Sequence, residues 1–125
     1  MRKSIVACLL CLVCVIFCSC GNTSGKFVAK KCVSNQTNSG FSMQYESLDG
    51  YKTYEYNLKK DDFVRIEVVT ESGSLDILVT GEDGTTYVDK RALGNEEYEF
   101  SVSTAGKFVF RFTAKKHNGS FNVSW

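Results

Sequence analysis

Apolar residues recur at every second position from residue 41 to the C-terminus, which is the pattern of strands with one buried face. The alternation is clearest in residues 54–58, 64–68 and 75–79. It continues in four further runs, residues 85–88, 98–102, 108–112 and 121–125. No stretch sustains a period of 3.6 residues, so the sequence predicts seven strands, with an eighth around residues 27–33.

Short polar segments with turn-forming residues separate these runs. Asp83-Gly84 and Asn118-Gly119 are dipeptides that supply the positive φ of tight hairpin turns. Ser72-Gly73-Ser74 is a third predicted turn, and residues 34–40 are predicted to be a polar loop or the end of a tether. Regularly spaced short strands of this kind predict an all-β fold, a single antiparallel β-sandwich of Greek-key or jelly-roll type over residues 27–125.

The inward-facing positions of this sandwich can be assigned from the alternation. Because side chains of a strand alternate between its two faces, the apolar members of each run should meet between the sheets. We expect one continuous core formed by Val64, Ile66, Val68, Leu75, Ile77, Val79, Tyr98, Phe100, Phe108, Phe110 and Phe112.

Several spaced motifs in this region resemble a known type of domain. Leu75-Asp76, Asp83-Gly84, Gly106 and Gly119 match the pattern of the bacterial pre-peptidase C-terminal β-sandwich, although Ser74 stands where that family usually has Asp. The order of segments is also similar, more loosely, to the eukaryotic GOLD-type sandwich. The resemblance implies an accessory module without catalytic residues, with a binding or spacing role.

The N-terminal segment has the pattern of an export signal. Arg2 and Lys3 precede fourteen uncharged residues, 5–18, which are too few to span a bilayer as a helix. Phe17-Cys18-Ser19-Cys20 and the polar residues that follow resemble a bacterial lipobox. That resemblance implies a signal peptide over residues 1–19, a lipid on Cys20 and a tether over residues 20–26. The alternatives are an ordinary secretory signal and a retained single-pass anchor.

This interpretation changes how the charge and the cysteines are counted. The formal charge of the whole chain is +1, but cleavage before Cys20 removes Arg2 and Lys3 and leaves 13 basic against 14 acidic residues. The chain therefore lacks the basic surface typical of nucleic-acid binding. Cys32 alone of the six cysteines lies beyond residue 20, so no internal disulfide framework is expected and Cys32 should be a partly buried apolar residue. A zinc site at Cys8, Cys11 and Cys14 is disfavoured by the apolar surroundings.

Candidate catalytic and metal-binding groups are few. His117 is the only histidine and lies in the predicted Asn-Gly turn, where we expect it to be solvated and unsuited to a catalytic triad. The acids fall mostly in turns, and the candidate calcium ligands among them, Asp61, Asp62, Asp83 and Asp89, lack EF-hand spacing. The sequence therefore favours a protein that is not an enzyme and holds neither metal nor cofactor.

The expected function is that of a non-enzymatic binding or structural module at the extracytoplasmic face of the cell membrane, anchored through lipid on Cys20. The sequence leaves the ligand open, with a glycan or a protein of the cell envelope as the expected partner and no nucleic acid. The alternative is a carbohydrate-binding module or a glycan-directed hydrolase, which would need two carboxylates roughly 5 to 10 Å apart. Tyr45, Tyr51 and Tyr87 lie outside the inward series and are the candidate sugar-stacking residues, although packing within the domain competes with that role.

Overall fold

The computed structural model describes residues 22–125 of the chain. In this range the chain forms six strands and no helix, so none of the described residues lies in a helix able to cross a membrane. The strands are β1 (Asn22–Thr37), β2 (Gly40–Leu58), β3 (Phe63–Thr80), β4 (Thr86–Lys90), β5 (Glu96–Ser101) and β6 (Gly106–Ser124). All neighbours pair antiparallel in the order β1-β2-β6-β3, and β3 also pairs with both β4 and β5.

Four strands, β1, β2, β3 and β6, are long enough to pass through both layers of the fold. Their pairing is interrupted near the middle by register shifts, and on either side of these shifts the strands lie in different layers. We call the layers sheet I and sheet II. Sheet I contains residues 33–37, 40–45, 63–70, 96–101 and 119–124, and sheet II contains residues 22–28, 50–58, 74–80, 86–90 and 106–114.

Ring contacts show that the two layers pack face to face. Phe41 and Tyr54 belong to the same strand, on opposite sides of its bend, and their ring centroids are 3.9 Å apart. Phe112 and Phe121 make the same kind of contact within β6, again at 3.9 Å. Each long strand thus folds back on itself. The expected all-β antiparallel sandwich is confirmed, but residues 22–125 form six strands instead of the seven or eight expected, because the long strands run through both layers.

Two glycines permit the bends of β3 and β6. Gly73 has φ 78° and Gly119 has φ 152°, both in the region that L side chains rarely adopt. A Cβ atom on Gly73 would overlap the main-chain oxygen of Lys116, and one on Gly119 would overlap that of Val69. The backbones of the two strands approach so closely here that only glycine fits.

These bends correct two of the predicted turns. Residues 72–74 and 117–119 do not end strands, because β3 and β6 continue through them into the other layer. The Asp83-Gly84 turn is confirmed between β3 and β4, where the amide of Gly84 donates to the carbonyl of Gly81 at 3.0 Å. Gly84 therefore lies in a hairpin, whereas Gly73 and Gly119, which also have positive φ, lie where a strand passes into the other layer.

The N-terminal part of the fold also differs from expectation. Residues 34–37 are not a loop but the end of β1, and the turn to β2 is confined to residues 38–39. The predicted tether overlaps a strand, since β1 begins at Asn22 and pairs there with Glu55. Cys20 and the predicted signal peptide, residues 1–19, lie outside the described residues.

The predicted core is confirmed in its main features. Nine of the eleven expected residues are buried, and the other two, Tyr98 and Phe100, are partly buried and pack against the same cluster. The alternation continues into residues that the sequence analysis did not include, among them Phe41, Met43, Leu48, Tyr54, Phe121 and Val123. One hydrophobic cluster therefore fills the space between the sheets.

Replacing Phe110 by alanine should lower the free energy of unfolding by about 3–5 kcal/mol, because it leaves a cavity in this cluster. Phe110 is 0% exposed, and its ring lies 5.3 Å from Phe41 and 6.1 Å from Trp125. Phe63→Ala is the matched control, since Phe63 is 53% exposed, and its effect should be about 0.5 kcal/mol or less. Urea denaturation measures both, and equal losses would contradict the assignment of faces.

Candidate functional site

The three candidate tyrosines lie in three separate places. Tyr45 is only 4% exposed, so the idea that it offers a ring to a sugar is wrong; it continues the inward series of Phe41 and Met43. Tyr87 is half-buried, with its ring 5.0 Å from both Phe100 and Phe108. The hydroxyl of Tyr87 lies 2.7 Å from Ser103 Oγ.

Tyr51 lies on the outer face of sheet II and keeps part of its surface accessible. The Cζ atom of Arg111 sits 4.3 Å from the centroid of its ring, which is a cation–π contact. One face of the ring is therefore occupied by a side chain of the protein itself. The tyrosines do not form a common binding surface.

His117 occupies a place that the sequence did not predict. Instead of lying solvated in a turn, it is 0% exposed where β6 changes layer. Its Nδ1 atom lies 2.7 Å from the hydroxyl of Tyr45, and its Nε2 atom lies 2.7 Å from Thr70 Oγ1. The expectation is wrong because residue 117 is not in a hairpin turn but inside β6, an even number of residues before the inward-facing Phe121 and Val123.

The hydrogen bonds around His117 indicate which of its nitrogens carries a proton. The Thr70 hydroxyl donates its single proton to the carbonyl of Leu93, at 3.0 Å, so it accepts from His117 Nε2. Burial lowers the pKa of His117 because it penalises the charged form, which favours the neutral imidazole. In that neutral state Nδ1 accepts from the hydroxyl of Tyr45.

The outer side of sheet I carries an array of polar side chains. Residues paired across a sheet share a face, so the register places Asn35, Ser42, Asn122 and Glu67 in one row across four strands. We call the outward residues of sheet I the polar face. Besides that row it contains Val33, Thr37, Gly40, Gln44, Glu46, Phe63, Arg65, Val69, Glu71, Glu97, Glu99, Ser101, Ser120 and Ser124.

Two depressions lie along this face over the adjacent strands β2 and β6. The upper depression, close to the bend, has a volume of about 300 Å³ and is lined by Lys31, Gln44, Tyr45, Glu46, Val69, Glu71, Gly119 and Ser120. The lower depression has about 250 Å³ and is lined by Asn35, Thr37, Gly40, Ser42, Asn122 and Ser124. Several residues of these two strands, Gly40, Ser42, Ser120 and Ser124, are short, and we call the two depressions together the trough.

Charged side chains flank the trough unevenly. On the β1 side, Lys31 Nζ lies 3.6 Å from Glu46 Oε2. On the β3 side, Arg65 contacts two carboxylates of β5, with Nε 3.1 Å from Glu97 and Nη2 2.9 Å from Glu99. Carboxylates therefore predominate on the side formed by β3 and β5.

Groups suited to metal binding or nucleophilic catalysis are not gathered in the part of the chain that the structure describes. It contains no group of three or more His, Cys, Asp or Glu side chains able to hold a metal ion. Two of the candidate calcium ligands accept hydrogen bonds within their own turns, Asp62 from Lys59 N at 2.8 Å and Asp83 from Thr85 N at 3.0 Å. Cys32 is exposed, contrary to the expectation that it would be partly buried, since β1 bulges there.

The buried histidine gives the stability of the protein a defined pH dependence. The pKa of His117 is lowered on folding, so below about pH 6.5 the unfolded chain takes up a proton that the folded chain does not. Stability should be fully present above that pH and fall as pH drops, by up to about 1.4 kcal/mol per pH unit. Because His117 is the only histidine, the difference in unfolding free energy between wild type and His117→Gln should shrink between pH 7 and pH 5. A difference that does not change with pH would contradict the buried neutral state.

The chain matches no protein-family model and no curated protein. Among solved structures it is similar to the pre-peptidase C-terminal domain of a collagenase from Bacillus anthracis, with 16% identity, a TM-score of 0.47 and coverage of 83% of this chain and 87% of that one. It is similar to a periplasmic inhibitor of g-type lysozyme from Aeromonas hydrophila, with 14% identity, a TM-score of 0.44 and coverage of 83% and 86%. A third is the module TmCBM61 in complex with β-1,4-galactotriose, with 15% identity, a TM-score of 0.43 and coverage of 85% of each chain. Similarities this distant carry no argument about function.

Proposed function

We propose that this chain is a non-catalytic binding module, held at the extracytoplasmic face of a cell membrane by lipid on Cys20, that binds a glycan along the polar face. The observation that carries the proposal is the alignment of two depressions, of about 300 and 250 Å³, along the same pair of strands. Together they make an elongated trough rather than an isolated pocket. An elongated trough suits a chain-like ligand.

The chemistry of the trough supports a glycan. Its serine hydroxyls and the amides of Asn35, Gln44 and Asn122 can both donate and accept hydrogen bonds, as the hydroxyl groups of a sugar require. From Gly40 to Glu46 the trough follows β2 for about 20 Å, at the rise of an antiparallel strand. Each hydrogen bond replaces one with water and gains little, so we expect a dissociation constant in roughly the micromolar to millimolar range.

The start of β1 supports an orientation in which the bends of the long strands lie away from the membrane. Asn22 pairs with Glu55 at the end of the sandwich away from the bends, and Cys20 lies two residues before it, a reach of about 7 Å. A lipid on Cys20 would hold that end near the membrane. The strands would then lead away from the bilayer, with the upper depression at the distal end.

A glycan-directed hydrolase is the competing function, and the upper depression has a feature that such an enzyme needs. Glu46 and Glu71 both line it, from β2 and β3. The general acid of a glycosidase, however, requires an apolar environment that raises its pKa. The side chain of Glu46 is 52% exposed and pairs with Lys31, which favours binding without hydrolysis.

Filling the trough should abolish glycan binding. Ser42 and Thr53 are half-buried residues of β2 that face outward, Ser42 on the polar face and Thr53 on the outer face of sheet II. The full chain, purified in detergent, is tested in pull-downs on insoluble polysaccharides. The Ser42→Tyr variant should bind about tenfold or more weakly than wild type. The Thr53→Tyr and Tyr51→Ala variants should bind as wild type.

Two results would count against the glycan proposal. Equal retention of Ser42→Tyr and wild type would remove the polar face as the site. Failure of every polysaccharide to retain the wild type would remove glycan binding itself and favour a protein partner. Release of new reducing ends from a retained polysaccharide would instead support the hydrolase.

The lipid anchor can be tested independently of the ligand. Bacteria expressing the wild-type chain with a labelled fatty acid should incorporate the label into the protein, and the Cys20→Ala variant should not. At least two acyl chains are needed for stable anchoring, so the variant should also leave the membrane fraction. Equal labelling of both, or labelling of neither, would exclude the anchor.

A further inference from the structure

The charges beside the trough point to a narrower class of ligand. We propose that the glycan carries free amino groups and that an ammonium group of one sugar lies in the upper depression, between Glu46 and Glu71. The inference rests on the proposed function, because it takes the trough as the place where the glycan lies. The additional claim is that the glycan presents ammonium groups.

The upper depression has a carboxylate on each side. Glu46 comes from β2 and Glu71 from β3, and β6 runs between these strands with Gly119 and Ser120 in the lining. No cation among residues 22–125 is paired with Glu71. A positively charged group of the ligand in this depression would therefore meet a carboxylate that has no counter-ion among the described residues.

The lysine beside the depression does not block this role. Lys31 Nζ lies 3.6 Å from Glu46, but the two side chains are 78% and 52% exposed. A pair this exposed is weak, because water screens its charges and both side chains lose conformational freedom in forming it. A ligand ammonium group can replace Lys31 at little cost.

The remainder of the polar face has the same sign of charge. Arg65 is shared between Glu97 and Glu99, and Glu67 adds a further carboxylate in the neighbouring row. Around the trough, three basic residues, Lys30, Lys31 and Arg65, face five acidic ones, Glu46, Glu67, Glu71, Glu97 and Glu99. A surface of one predominant sign attracts ligands of the opposite charge and repels those of its own. Uronic acids and phosphorylated or sulfated sugars are therefore disfavoured.

An ammonium group fits the depression better than a metal ion. A bound calcium ion needs six to eight oxygen atoms that converge on it. The part of the chain that the structure describes gathers no three acidic, histidine or cysteine side chains around one point. An ammonium group needs only one or two acceptors within reach and leaves the rest of the sugar to the hydroxyl and amide groups of the trough.

The expected preference is modest, because the site is open to water. An exposed ion pair changes affinity by about 1.5- to 5-fold, so two carboxylates should together give roughly 2- to 25-fold. The preference should also depend on salt, since charges on an exposed surface are screened over about 10 Å at 0.1 M ionic strength and over about 3 Å at 1 M.

The test compares two ligands that share a backbone and differ in charge. The full chain, purified in detergent, is titrated with a glucosamine oligosaccharide and with its N-acetylated counterpart at about pH 5.5, because the neighbouring oxygen atoms make a sugar amine a weaker base than an alkyl amine and the lower pH keeps it protonated. At low salt the glucosamine oligosaccharide should bind roughly 2- to 25-fold more tightly, and the two affinities should converge near 1 M salt. A galacturonic acid oligosaccharide should bind more weakly than either.

Variants locate the effect on the molecule. Glu71→Gln and Glu46→Gln should each reduce the preference by about 1.5- to 5-fold. Asp89→Asn removes the same charge from an exposed residue of β4, whose partner Leu78 is on the outer face of sheet II, and should leave the preference unchanged. Ser42→Tyr should weaken both oligosaccharides together.

The outcomes separate this inference from the proposed function. Equal affinity for the two oligosaccharides, or a preference that survives both glutamine variants, would overturn the amino-sugar inference while leaving glycan binding in place. Binding of the glucosamine oligosaccharide that Ser42→Tyr does not weaken would overturn it as well, because the site would then lie elsewhere. Absence of binding to these oligosaccharides and to every polysaccharide of the pull-down would overturn both proposals.

Discussion

The close crossing of β3 and β6 is the constraint on which the rest of the sandwich depends. Both strands pass from one layer to the other at this point, and a Cβ atom on Gly73 or Gly119 would overlap the main chain of the facing strand. The hydrophobic alternation has to be reset at the same residues, because each strand continues in the other layer with its inner face toward the same core. This crossing brings the rings of Phe112 and Phe121 together within one strand.

The crossing also creates a need for buried hydrogen bonds. Where regular pairing is interrupted, main-chain and side-chain polar groups require other partners, since an unsatisfied buried group costs about 1–3 kcal/mol. His117 and Thr70 meet this need between the strands, and the loop after β4 completes it. That loop is held by Leu93 N, which donates to Leu75 O at 2.9 Å, and by Asn95 Oδ1, which accepts from Thr70 N at 2.8 Å. Polar contacts therefore hold the strands together at the end of the sandwich where they bend. Farther from the bends, aromatic rings fill the interior.

The sequence predicts the inner faces of the runs from residue 54 onward and the Asp83-Gly84 hairpin, because these depend on local alternation and turn chemistry. It does not predict that residues 34–37 and 40–53 belong to strands, or that the runs 64–68 and 75–79 form one strand. It was not sufficient for His117-Asn118-Gly119, since a hairpin and a change of layer both require a residue with positive φ. The difference between them depends on the neighbouring strands, which the local sequence does not contain. The inward position of Tyr45 follows from the alternation, because Tyr45 lies an even number of residues after the buried Phe41. Predicting the trough requires the register of four strands, which no local pattern specifies.

The two outer faces differ in how far the long side chains cover the middle strands. On sheet II, Arg111 lies over Tyr51, and Lys107 reaches Glu55 at 3.8 Å, so long side chains extend across β2 and β6. On sheet I those same two strands carry glycine, serine and amide side chains, and the long side chains stand at the sides. The core does not require this arrangement, because the outward residues make no contribution to the packing between the sheets. Substitutions on the polar face should therefore change binding with little change in folding, which allows the two properties to be measured separately.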